Sequence, residues 1–170
     1  MTSDHIRQSI ENAIGYLGEH PEESRYTDSS ATAVMEGLQA QVKGPGGAIV
    51  VSDMPKGVGG EDSAPSPGWL LRAAIASCDA TVIAMRAAQE GIELSNLEVT
   101  VNSESDDRGL LGTDDSVPAG PYSTRIRVKV AAEGVPPEKL REIVEWADHH
   151  SPVSDAVQRA VPTSVEVEVI

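Results

Sequence analysis

The sequence predicts an α+β fold built on antiparallel strands. Three observations carry this. The apolar patterns run in the order strands, helix, strands, helix, strand, so the element types are segregated rather than alternating. The early strands are joined by a hairpin-like turn, Gly44-Pro45-Gly46-Gly47. Two later stretches alternate apolar and polar residues, which gives strands with one wet face. A length of 170 residues suits one domain with a sizeable core.

Each element has its own signal. Ile6, Ile10, Ala13, Ile14 and Leu17 recur at helical spacing, with Gly18 as a stop, and predict an amphipathic N-terminal helix. The polar residues 19–30, which include Pro21, read as a connector. Residues 31–43 are strand-like but interrupted by Gly37, and Ala48-Ile49-Val50-Val51-Ser52 is the next strand. A loop rich in Gly, Pro and Ser covers 53–67.

Ser66 is a suitable N-cap and Pro67 a suitable first residue for a long helix reaching about Gly91. Apolar residues lie on nearly every side of that helix, so it is expected to be covered from several directions. Leu97, Val99 and Val101 form a strand, as do Tyr122, Thr124, Ile126, Val128 and Val130; a long acidic loop, 103–121, joins them. Pro136-Pro137-Glu138 opens a helix with Leu140, Ile143, Val144 and Ala147 on one face. Ser151-Pro152 starts a short helix to about Ala160, and Val165, Val167 and Val169 alternate with Glu166 and Glu168 in an expected final strand.

Composition excludes several function classes. The formal net charge of −14 argues against nucleic acid and against an anionic membrane as partners. No run is expected to approach the ~18 apolar residues of a membrane-spanning helix. The first 20 residues are amphipathic and charged, without the apolar core of a signal peptide. A single cysteine excludes an intrachain disulfide and a cysteine-based metal cluster, and a reducing cytoplasm fits it best. With no Phe, two Trp and three Tyr, the core must be aliphatic.

That cysteine, Cys78, sits in the most apolar stretch, Leu70-Leu71-Arg72-Ala73-Ala74-Ile75-Ala76-Ser77-Cys78, and the chain later reads His149-His150-Ser151-Pro152-Val153-Ser154-Asp155. Together with the Pro67 helix start, the Gly91 stop and the Asp107-Arg108-Gly109 loop, these segments resemble the OsmC/Ohr family of thiol-dependent hydroperoxide reductases. The resemblance covers roughly residues 31–170. It implies an intertwined homodimer, with antiparallel sheets from both chains wrapped around long central helices. Residues 1–30 would be a helical extension to an OsmC-like domain at 31–170. It also implies that Cys78 is the peroxide-reducing nucleophile, without cofactor or metal, in an oxidative stress response.

The same resemblance exposes departures. Ser151 stands where the family has its second, resolving cysteine. Gly68 follows Pro67 where the family has Glu, and the loop 53–67 offers Lys56 instead of Arg as the cation for a thiolate. Lysine lacks the two-pronged grip of a guanidinium. Arg72 and Arg86 fall about 120° and 80° around the helix from Cys78, so neither points clearly at it. Asp79 would oppose ionisation of its neighbour.

Two functions follow. One is a one-cysteine hydroperoxide reductase, with Cys78 oxidised by an organic hydroperoxide and reduced by an external thiol. The other is a catalytically degenerate homodimer that binds a small apolar ligand in a dimer-interface pocket lined by the 67–91 helix, Ser151 and the 53–67 loop; a purely structural dimer would differ from it only in lacking the pocket. A free cysteine is also among the most buried and inert residue types, and Ser151 reads independently as a helix cap worth ~1 kcal/mol. Asp148, His149, His150 and Ser151 have the residue types of a hydrolytic triad or a metal site. They are contiguous, however, and neighbouring side chains on a helix diverge by ~100°. The acidic loop with Glu104, Asp106, Asp107, Asp114 and Asp115 lacks the spacing of a calcium loop, and Gly57-Val58-Gly59-Gly60 lacks the Lys-Ser/Thr pair of a phosphate loop.

Overall fold

The computed structural model describes residues 3–170; Met1 and Thr2, the start of the expected 1–30 extension, lie outside the described residues. The elements in chain order are α1 (Ser3–Glu19), β1 (Thr32–Glu36), β2 (Gln39–Lys43), β3 (Ile49–Ser52), α2 (Pro67–Gln89), β4 (Leu94–Glu104), α3 (Asp107–Leu110), β5 (Ser123–Ala132), α4 (Pro137–His150) and α5 (Pro152–Gln158). The fold is α+β with antiparallel sheets and long helices, as the sequence predicts.

β1, β2 and β3 form one meander and β4–β5 a separate antiparallel pair. The β1–β2 turn contains Gly37 at φ +57°, a left-handed conformation that glycine adopts without a Cβ clash. In the β4–β5 pair, Leu97 faces Val130, Val99 faces Val128 and Val101 faces Ile126, so the alternation seen in the sequence becomes one apolar face. α2 and α4 pack with this face. The core joins Ile83 and Ala87 of α2 to Ile143 and Ala147 of α4, with Leu97, Val99, Val128 and Trp146 around them.

α2 starts where the sequence places it. The Ser66 hydroxyl accepts the Trp69 N–H, and Pro67 occupies the first turn, where no N–H is needed. Gly91 closes the helix at φ +71°. By length and composition α2 is able to cross a membrane, contrary to the sequence expectation. Here it is instead the core helix, packed by α1, β4, α4 and α5.

A further correction concerns its cover. Within one chain the buried residues of α2 form mainly one narrow stripe, Ile75, Asp79, Ile83 and Ala87, spaced four apart, with Ala88 beside it. Trp69, Leu71 and Met85 stay exposed. The expected final strand is also absent: residues 159–170 form no strand, and Val165, Val167 and Val169 are more than four-fifths exposed. Alternation marks a strand with two different faces, but it needs a partner edge, and no edge of this chain pairs with it.

The loop after β3 is tied by Asp53. Its buried carboxylate accepts the N–H groups of Met54, Ser63 and Glu61 and the hydroxyl of Ser63. The Ser63 hydroxyl and N–H hold its pKa below the ordinary carboxylate range. In the acidic loop, the Arg108 guanidinium grips Asp106 and pulls its pKa down to about 2. That loop is organised by its own ion pair rather than left as an unstructured connection.

Candidate active site

One helix cap and one helix stripe build the site. α4 ends at His150, and the chain turns at Ser151, whose side chain caps α5 by accepting the Ser154 N–H at 3.4 Å. Because α4 is pinned to α2 through Ile143 and Ala147, this turn lands on the middle of α2. The Ser151 hydroxyl donates to the Cys78 sulfur at 3.3 Å. Ser151 is fully buried, whereas Cys78 is half-buried.

One residue further along α2, Asp79 enters the buried stripe at 4 % exposure. A carboxylate there would be costly without a donor. The Ser154 hydroxyl supplies one at 2.8 Å. Ser151 and Ser154, three apart on the α5 turn, therefore grip Cys78 and Asp79, adjacent on α2. The Ser154 bond fixes the turn, and the turn holds the Ser151 hydroxyl on sulfur.

Beside Cys78 lies a cavity of about 720 Å³, within the size range of small-molecule sites. Its walls include Ile10 and Ile14 of α1, Val82 and Met85 of α2, and Trp146 and His150 of α4. The His150 ring stacks on Trp146 at 3.9 Å between centroids, and its Nδ1 lies 2.7 Å from the Trp146 carbonyl oxygen. Arg86 sits 4.6 Å from the centre of the same indole and pairs with Glu90.

The structure brings Cys78 and Ser151 together but does not bring Lys56 to them. Lys56 is exposed in a short 3-10 turn, Lys56–Val58, and does not line the cavity. Within one chain the loop 53–67 closes on Asp53 and contributes no wall to this cavity, and Ser151, fully buried, is not among its wall residues either. Arg72 donates instead to Ser103 of β4 at 3.1 Å. His149 turns back to the Glu145 carbonyl, away from a triad with Ser151. Sequence reasoning missed Ile10, Ile14, Trp146 and the cavity-facing role of His150. The signal for the last two was present: Trp146 and His150 are four apart, on one face, at the helix end that leads into Ser151.

Comparisons with known proteins agree with this architecture. The family model described as OsmC-like protein matches residues 60–166. No curated protein matches the chain. Among solved structures, the chain is similar to an organic hydroperoxide resistance protein OsmC from Legionella pneumophila, with TM-score 0.58 and 20% identity over 79% of this chain and 92% of that one. It is also similar to an organic hydroperoxide resistance protein from Elizabethkingia anophelis, with TM-score 0.59 and 21% identity over 79% and 91%. A third is an OsmC-like protein from Mycoplasma pneumoniae, with TM-score 0.66 and 13% identity over 79% and 89%.

Proposed function

Because the chain belongs to the OsmC-like protein family, we propose that it is a one-cysteine organic hydroperoxide reductase with Cys78 as the nucleophile. The observation that carries this reading is the buried Ser151 hydroxyl donating to the Cys78 sulfur beside a large apolar cavity. The hydroxyl sets a hydrogen-bond donor on the atom that would react.

The chemistry runs in two stages. The Cys78 thiolate attacks the distal oxygen of the hydroperoxide. The O–O bond breaks, the alkoxide leaves and takes a proton as the alcohol, and sulfur becomes a sulfenic acid. Ser151, in the place of a resolving cysteine, has no sulfur to capture that acid. An external thiol therefore attacks Cys78, releases water and forms a mixed disulfide. A second external thiol frees Cys78 and leaves as the disulfide.

Cys78→Ser is expected to abolish hydroperoxide consumption in a thiol-coupled assay, while Lys56→Ala is expected to leave it within about twofold, a difference under ~0.5 kcal/mol in the barrier. Unchanged consumption by Cys78→Ser would end this reading. A second reading, a ligand-binding protein without redox turnover, is favoured by one observation. Among the described residues, no lysine or arginine side chain lines the cavity to hold a thiolate charge.

We also propose that the working form is a homodimer. The exposed apolar side chains Val34, Met35, Ile49 and Val50 of the β1–β3 meander, and Val165, Val167 and Val169 of the tail, need cover that one chain does not provide. Sedimentation equilibrium is expected to give twice the 17.9 kDa chain mass at micromolar concentration. A stable compact monomer there would count against it.

A further inference from the structure

α1 precedes the family-matched residues 60–166, yet it completes the Cys78 cavity. Helices that pack for stability interdigitate at 8–10 Å between axes and leave few voids. α1 packs along α2 but leaves part of the seam unfilled. None of its residues is fully buried, Ile14 remains 60% exposed, and an open cleft of about 720 Å³ remains between α1, α2 and α4. It forms one wall of that cleft.

The space is elongated. On the α2 side its wall runs along Cys78, Val82, Met85 and Gln89, at i, i+4, i+7 and i+11 on one helix face, with Ser77 and Thr81 beside them. At 1.5 Å per residue that wall is about 16 Å long. Across it, Ile10 and Ile14 lie one turn apart on α1. His150 and Pro152 also line it, the fully buried Ser151 hydroxyl donates to the Cys78 sulfur, and among the described residues no lysine or arginine lines it to attract an anion.

We propose that Ile10 and Ile14 are specificity-determining residues that fit the site to neutral molecules with an unbranched alkyl chain, the reacting group at Cys78 and the chain along the α1–α2 seam. This rests on Cys78 being the reacting group proposed above. It concerns where the chain of the substrate goes, not what reaction follows.

Cys78 is the only cysteine, so N-alkylmaleimides report on this site alone. The sulfur adds across the maleimide C=C bond, and a proton goes to the neighbouring carbon, with no oxidant needed. Rates are measured at fixed pH for N-methyl, N-butyl and N-octyl probes and normalised, in each variant, to the N-methyl probe. In the wild-type chain the rate is expected to rise about two- to fourfold per methylene while the chain enters the seam. Ile10→Glu and Ile14→Glu are expected to flatten that rise. Ile14→Ala, which keeps α1 apolar and helical by circular dichroism, is expected to reduce it. A flat wild-type series, or an equal slope in all variants, overturns the proposal. If the slope behaves as expected while the wild-type chain consumes no hydroperoxide, the peroxidase reading falls and this one stands.

Discussion

Replacing Ser151 by Cys is expected to yield a chain that forms a 78–151 disulfide on mild oxidation. The Ser151 oxygen already lies 3.3 Å from the Cys78 sulfur, with the two side chains converging. A disulfide requires an S–S distance of about 2.05 Å and Cα atoms within about 7 Å. The longer carbon–sulfur bond and a small side-chain rotation close that gap without moving either helix. The bond would span 73 residues of chain, and in the loop-entropy account a loop of that size stabilises the oxidised form by about 4 kcal/mol. The loss of the Ser151 cap on α5, worth ~1 kcal/mol, lowers the oxidised and reduced forms of the variant alike. The oxidised variant is therefore expected to melt higher than its reduced form and to resist over-oxidation. Mass spectrometry after non-reducing digestion checks the link. Free or sulfinic cysteines alone would show that the two positions do not meet in solution.

Ile143→Ala is expected to cost about 2–5 kcal/mol, the usual range for emptying a close-packed core position. Ile143 is 1% exposed and sits between Ile83 and Ala87 of α2 and Ala147 of its own helix. Neither alanine neighbour has atoms to move into the void. The effect reaches the site, because this contact holds α4 on α2 and α4 delivers Ser151 to Cys78. Urea unfolding is the measurement, with Val161→Ala as a control at an exposed position, expected within about 0.5 kcal/mol of wild type. If the two variants shift the midpoint equally, the α2–α4 contact is not the core of this fold.

What was legible in the sequence was whatever a short local pattern can encode. The Ser66-Pro67 and Ser151-Pro152 starts, the Gly91 stop and the alternation in β4 and β5 each depend on neighbours a few residues away. All appear in the structure. The meeting of Cys78 and Ser151 was legible only through resemblance, since nothing local connects positions 73 apart. The walls of the cavity were not legible. Periodicity shows that Ile10 and Ile14 share an apolar face of α1, but not that this face forms one wall of the cleft beside Cys78. The tail failed for a related reason. Val165, Val167 and Val169 carry a strand pattern, yet a strand is a property of two edges, and one chain supplies only one of them. Lys56 failed because a loop's reach depends on where it is tied, and Asp53 ties this one back on itself.

The stacked pair at the cavity wall gives the protein an optical reporter of its own. Of its two tryptophans, Trp69 is about half exposed at the start of α2, and Trp146 lies against His150 on the cavity. Emission from the first tracks bulk solvent. Emission from the second tracks whatever fills the space beside it. An apolar guest that displaces water from the Trp146 ring shifts that component to the blue, so occupancy can be followed by intrinsic fluorescence without a label and with Cys78 left unreacted.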